Sequence, residues 1–168
     1  FLVMLGSRRR WKNFVALFSQ KKNKQVASKA YIVQIVLACK NLAESKTGAL
    51  IVIENNISLD EYLSSGERTD ALVSYRLLEN IFYKNTPLHD GAVIIGNERI
   101  KAAACILPVS RDETVPKQYG LRHRSALGIS QVSDAKAIVV SEETGHIALA
   151  YMGKIYADLS SKELDRML

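Results

Sequence analysis

Residues 47–56 read Thr47-Gly48-Ala49-Leu50-Ile51-Val52-Ile53-Glu54-Asn55-Asn56, and Ala49 to Ile53 form a continuous β-prone apolar run closed at both ends by turn-forming residues. A strand with one wet face alternates apolar and polar side chains, whereas an unbroken run is what a central strand buried on both faces requires. Such a strand needs cover on both sides, so the run predicts an α/β domain with helices packed on both faces of a central sheet.

The flanking patterns agree. From Ala27 to Ser45, Tyr31, Ile32, Ile35, Val36, Cys39, Leu42 and Ala43 recur at the spacing of one helical face. After the polar stretch around Ser64-Ser65-Gly66, a second helical pattern of Leu72, Tyr75, Leu77, Leu78, Ile81 and Phe82 stops before Pro87. Residues 92–95 and 100–107 read as strands joined at Gly96-Asn97-Glu98, and Pro108 ends the second. Residues 110–120 are a polar loop with Pro116 and Gly120, and a helix opens near Arg122 and ends near Gly128 or Ser130. Residues 137–141 and 147–152 form another strand pair around Glu143-Thr144-Gly145. A turn follows at Gly153, and Ser160 or Ser161 caps a short last helix. No internal repeat and no linker suggests a second folded domain, so a mixed-sheet domain over residues 30–168 follows a basic segment over residues 1–29.

At 168 residues with 48% hydrophobic content, the chain is long enough for one domain with a genuine core. Its formal charge of +6 is unevenly placed. Arg8, Arg9, Arg10, Lys12, Lys21, Lys22, Lys24 and Lys29 all lie in residues 1–29 with no acid among them, which leaves the remainder slightly acidic. That excludes broad nucleic-acid binding by the domain, which needs basic side chains to replace many phosphate counterions. Phe1-Leu2-Val3-Met4-Leu5 ahead of the arginines has two readings: the end of a transmembrane helix with a basic cytoplasmic flank, or a solvated tail. On the first, basic groups near an anionic leaflet add about 1 kcal/mol each. Trp11, Phe14, Leu17 and Phe18 suit an interfacial helix, and equally packing on the domain. Cys39 and Cys105 form no C-x-x-C pair, so neither a zinc site nor a redox motif is expected, and both read as free core thiols in a reducing compartment.

Chemistry concentrates in two clusters. His89-Asp90-Gly91-Ala92 and Arg122-His123-Arg124 bring a carboxylate, imidazoles and guanidiniums together in a chain with only three histidines. An acid beside a histidine can hold a divalent metal or take a proton from an attacking hydroxyl, and arginines offer forks of donors to phosphate oxygens. At a loop-to-helix junction the basic cluster would add to the anion preference of a helix N-terminus. Singly, Asp-Gly is most often a turn and Arg-His-Arg a solvated patch, so their ordered co-occurrence carries the reading. His146 reads as a surface histidine, Tyr119 and Tyr151 as packing residues, and Glu142-Glu143 as exposed turn chemistry.

Gly48-Ala49-Leu50-Ile51, Asp90-Gly91-Ala92 and Arg122-His123-Arg124, in that order, resemble the diadenylate cyclase (DAC, or DisA_N) domain family. Residues from about Tyr31 to Leu159 look like the cytosolic catalytic domain of the membrane-anchored CdaA-type enzymes, with Thr86-Pro87-Leu88-His89 and Ala126-Leu127-Gly128-Ile129-Ser130 adding to the likeness. The resemblance implies condensation of two ATP into cyclic di-AMP with release of two pyrophosphates, assisted by Mg, Mn or Co.

By the same resemblance Asp90 lies at the ribose 3′-OH and helps hold the metal with His89 and Glu143. Arg122, His123 and Arg124 grip the triphosphate. Gly91 and Ala92 bring backbone close to the nucleotide, Gly48, Ala49 and Leu50 belong to the nucleotide site, and the backbone at Leu107 reads adenine. The family commonly carries Thr and Ala where this chain has Leu121 and Ser125, so a hydroxyl is missing at 121 and Ser125 is free to supply a hydrogen bond. Because each 3′-OH attacks the other nucleotide's α-phosphorus, catalysis is expected at a two-fold homodimer interface. The implied setting is a cytoplasmic domain of a cell-membrane protein, with a membrane regulator and a phosphoglucosamine mutase as partners. The competing reading is a module that senses ATP or a cyclic dinucleotide without turnover, and a third, a basic adaptor for membrane or RNA, rests on residues 8–29 alone.

Overall fold

Side chains of β1 (Ala49–Ile53) enter two different cores, as an unbroken apolar strand demands. The computed structural model describes residues 29–168, so the expectations for Trp11, Phe14, Leu17, Phe18 and the basic run before Lys29 lie outside the described residues. Helix α1 occupies residues 29–44. After β1 come α2 (Asp60–Leu63), β2 (Glu67–Leu72), α3 (Tyr75–Phe82), β3 (Ala92–Gly96), β4 (Arg99–Cys105) and α4 (Leu121–Val132). The chain closes with β5 (Lys136–Val140), β6 (Ile147–Tyr151), β7 (Lys154–Leu159) and α5 (Ser161–Met167).

The seven strands form one mixed sheet in the order β2-β4-β3-β1-β5-β6-β7, with β1 and β3 parallel and every other pairing antiparallel. Ile51 stands between Val93 of β3 and Ile138 of β5. Ala49, Ile51 and Ile53 join Ile35 and Leu42 of α1, Leu78, Ile81 and Phe82 of α3 and Leu164 of α5 in one core. Leu50 and Val52 face the other, with Leu63 of α2 and Ala126 and Ile129 of α4. Each fully buried Ile or Leu of this kind stabilises the fold by about 1.5–3 kcal/mol. Both cysteines are free and buried, and burial pushes the Cys39 thiol up to about 12 and the Cys105 thiol up to about 11.

The structure corrects several boundaries. Leu72 belongs to the edge strand β2, not to the second helix, and is 71% exposed. β2 pairs only with β4 and breaks register between Arg68 and Ala71, where Asp70 adopts a left-handed φ of 43° and its carboxylate accepts from Arg99 Nε at 2.7 Å. β7 is the opposite edge, largely exposed, and no periodicity announced it. β4 ends at Cys105, short of Leu107, because the Ile106 N–H donates to Ser65 Oγ at 2.9 Å instead of to the ladder. α4 runs through Gly128 and Ser130 to Val132. Gly128 is not a stop: a Cβ there would sit 2.1 Å from the Pro108 carbonyl oxygen, so the glycine lets the helix lie against that segment. Ser160 caps α5, its hydroxyl accepting from Glu163 N while the Glu163 carboxylate accepts from Ser160 N.

Candidate nucleotide site

The starts of β1 and β3 and the end of β5 lie at the same end of the central strands, because β5 runs antiparallel to β1. His89 and Asp90 precede β3 there, Gly48 precedes β1, and Ser141 to Glu143 follow β5. Thr86 shapes the first of these segments. Its hydroxyl donates to the Tyr83 carbonyl at 2.8 Å, and its own carbonyl lies 2.5 Å from His89 Nδ1. A carbonyl only accepts, so Nδ1 carries a proton, and in the neutral ring Nε2 is the nitrogen with the lone pair. Gly91 follows with φ 121°, and a Cβ at that position would lie 2.6 Å from the Ala104 carbonyl carbon. Only glycine fits, and the turn it makes leaves Asp90 exposed while Ala92 enters the core.

Opposite stands the amino end of α4. Gly120 occupies the cap position without a side-chain acceptor for the first N–H groups, which therefore point outward with the positive end of the helix dipole. Ser110 N donates to the Arg124 carbonyl at 2.9 Å, and with the Gly128–Pro108 contact this fixes the helix against the 108–110 segment. Arg122 Nη1 donates to Glu142 Oε2 at 3.2 Å. Its guanidinium lies over Gly48, where a Cβ would come within 2.7 Å of Nη1. Arg122 Nε is buried and has no acceptor. An unmet buried donor costs about 1–3 kcal/mol, and a phosphate oxygen is the kind of acceptor that would relieve it. His123 stacks on Tyr119, centroids 4.6 Å apart and planes 12° from parallel, and burial lowers its pKa from the ordinary histidine value. Tyr119 is thus neither core packing nor free to stack a base on that face.

These groups line a cleft of about 370 Å³ that holds His89, Asp90, Leu121, Arg122, His123 and Glu143 together with Gln118 and Ser141. A second cleft of about 320 Å³ adjoins it and shares His89, Arg122 and Glu142, with Gly48, Lys84 and Asn85 completing its lining. Arg124 joins neither. Residues two apart on a helix point about 200° from each other, so Arg124 turns away and its Nη1 donates to the Asp112 carbonyl at 3.4 Å. Of the three residues expected to grip a triphosphate, the structure thus brings Arg122 and His123 to the cleft and leaves Arg124 outside it. Ala49, Leu50, Ala92, Leu107 and Ser125 are buried and line neither cleft, so their side chains do not face a ligand there. Leu121 does, 67% exposed at the lip of the larger cleft. His146 is a surface residue paired with Asp158 at 2.6 Å. Lys84, Asn85 and Gln118 carry no local signal in the sequence, where Glu142 looks only like turn chemistry.

Among the described residues no three His, Cys, Asp or Glu side chains cluster tightly enough to hold a metal ion, so a preassembled His89–Asp90–Glu143 set is not present. His89 and Asp90 still suit a divalent ion that takes one or two protein ligands and completes its shell with phosphate and water. The Thr86 carbonyl behind His89 provides the outer-shell support that metal-bound imidazoles commonly have.

Comparison with known proteins bears on this arrangement. The model of the DisA bacterial checkpoint controller nucleotide-binding (DAC) family matches residues 36–155. Cyclic di-AMP synthase CdaA of Bacillus subtilis is 44% identical over 142 residues, covering 84% of this chain and 52% of that protein. A diadenylate cyclase of Listeria monocytogenes is 47% identical over 127 residues, covering 76% of this chain and 46% of that protein. The chain thus spans about half the length of the curated relatives it matches. The crystal structure of a double mutant of DacA from Staphylococcus aureus superposes with a TM-score of 0.82 at 41% identity, covering 84% of this chain and 94% of that one.

Proposed function

The chain belongs to the diadenylate cyclase (DAC) domain family, and from that premise we propose that it condenses two ATP into cyclic di-AMP and two pyrophosphates. The observation that carries the reading is the Arg122 guanidinium. It is held at the amino end of α4 with a buried, unmet donor and shares its cleft with Asp90 and His89. The Arg122 guanidinium and the His123 N–H stand on one side of that cleft and a proton acceptor on the other, as transfer of a nucleotidyl group to a ribose hydroxyl needs.

Asp90, exposed at the start of β3, accepts the hydrogen bond or the proton of the ribose 3′-OH. Arg122 meets charge building on the phosphate as pyrophosphate leaves. His123, its pKa lowered by burial, serves as a neutral N–H donor rather than a second cation. When bound, a divalent ion (Mg, Mn or Co) held by His89 Nε2 and Asp90 would supply further neutralisation of phosphate charge. The described residues form one cleft with this set of groups, so two copies related by a two-fold axis bring each 3′-OH to the other nucleotide. Membrane attachment through a transmembrane helix ending at Phe1–Leu5, with the basic residues that follow as its cytoplasmic flank and a membrane regulator and a phosphoglucosamine mutase as partners, belongs to the same proposal.

The test is incubation of the purified chain with ATP and Mn or Mg, followed by chromatographic separation with mass detection. Cyclic di-AMP is expected. ATP bound but unconverted under every metal would favour a sensing module, for which Leu121 at the lip of the cleft, lacking a hydroxyl for phosphate, is the specific support.

A further inference from the structure

Glu142 stands where chemistry alone would not put it. A carboxylate beside a polyphosphate site repels the ligand unless its charge is engaged, and here it is engaged by Arg122 Nη1 at 3.2 Å. Resting on the nucleotidyl-transfer reading above, we infer that Glu142 is a positioning residue that fixes the Arg122 guanidinium at the boundary of the two clefts.

Three observations carry it. Arg122 and Glu142 both line both clefts, so the pair stands on the boundary between Asp90 on one side and Lys84 on the other. The guanidinium has Gly48 beneath it, and with Nε unpartnered the Glu142 bond is what sets its orientation. Glu142 itself sits on a braced turn: the Glu143 and Thr144 N–H groups both donate to Ser141 Oγ at 3.3 Å, and Gly145 N donates to the Ser141 carbonyl at 2.9 Å. The Glu142 side chain is 52% exposed, so its removal opens no core.

The experiment is a double-mutant cycle on the full chain, with kcat and KM for ATP read separately and thermal melts as control. Glu142→Ala is expected to lower kcat by about tenfold, with the melt unchanged. Glu142→Gln, whose amide oxygen can accept the same bond, recovers most of it. In an Arg122→Ala background Glu142→Ala changes nothing further, because the residue acts through the arginine. Wild-type kcat in Glu142→Ala, or an undiminished loss on top of Arg122→Ala, would overturn the inference. A wild-type chain that binds ATP without converting it overturns the reaction and not the positioning, which the same four proteins then report as non-additive ATP affinities. A chain that binds no ATP overturns both.

Discussion

Gly48 and Gly91 flank the cleft, and the atoms a methyl group would meet at each decide what alanine does there. At Gly48 the obstacle is the far end of the Arg122 side chain, which can swing away. Gly48→Ala should therefore change unfolding free energy by under about 1 kcal/mol while turnover falls about tenfold through a misplaced guanidinium. At Gly91 the obstacle is the Ala104 backbone and φ is 121°, so nothing can give. Gly91→Ala should cost about 2 kcal/mol or more in denaturant unfolding. Equal stability losses at the two sites would sink the distinction. His123 adds a pH signature. Burial lowers its folded pKa, so below about pH 6.5 the unfolded chain takes up a proton that the folded chain resists. This contribution is in place above that value and is lost as pH falls. Wild type should lose stability relative to His123→Gln as pH falls below about 6.5, and parallel profiles would place the imidazole in solvent.

At the scale of elements, α4 carries the site and is itself held by a backbone contact. Gly128→Ala would push a methyl group to 2.1 Å from the Pro108 carbonyl oxygen, and two backbones must part to admit it. The expected cost is about 1–3 kcal/mol, with turnover falling too, because Arg122 and His123 ride on the displaced helix. Full turnover in a destabilised variant would show that the amino end of α4 is anchored independently. The same helix shows where sequence reading stops. β1, β3 and β5 were legible because strands buried on both faces are written as apolar runs. β2 and β7 were not, since an edge strand has a partner on one side only and its half-exposed positions leave little periodicity. Arg122-His123-Arg124 was legible as a motif, yet adjacency in sequence hid that a helix sends its two arginines to opposite sides. Glu142 was missed because an ion pair between residues 20 apart leaves no local pattern.

For the whole molecule, the question is how the proposed reaction between two nucleotides fits a chain whose described residues form one such site. The described residues place Asp90 and Arg122 around one cleft at the strand ends in the middle of the sheet, and cyclic di-AMP needs two hydroxyls and two α-phosphates in reciprocal positions. A two-fold pairing supplies the second set without new residues, since whatever one copy offers the other returns. Mass action then fixes the kinetics. Where copies are mostly apart, the concentration of paired sites rises as the square of the protein concentration, so turnover per chain rises in proportion to concentration and levels off once pairing is complete. The expected outcome is a steep loss of turnover per chain on dilution at saturating ATP, with no recovery of cyclic product when an Asp90→Asn copy is added back, because a mixed pair holds only one complete set. Turnover per chain that holds constant over about a hundredfold dilution into the nanomolar range, with the chain eluting as a monomer, would mean that one cleft completes the reaction alone and would remove the need for the pair.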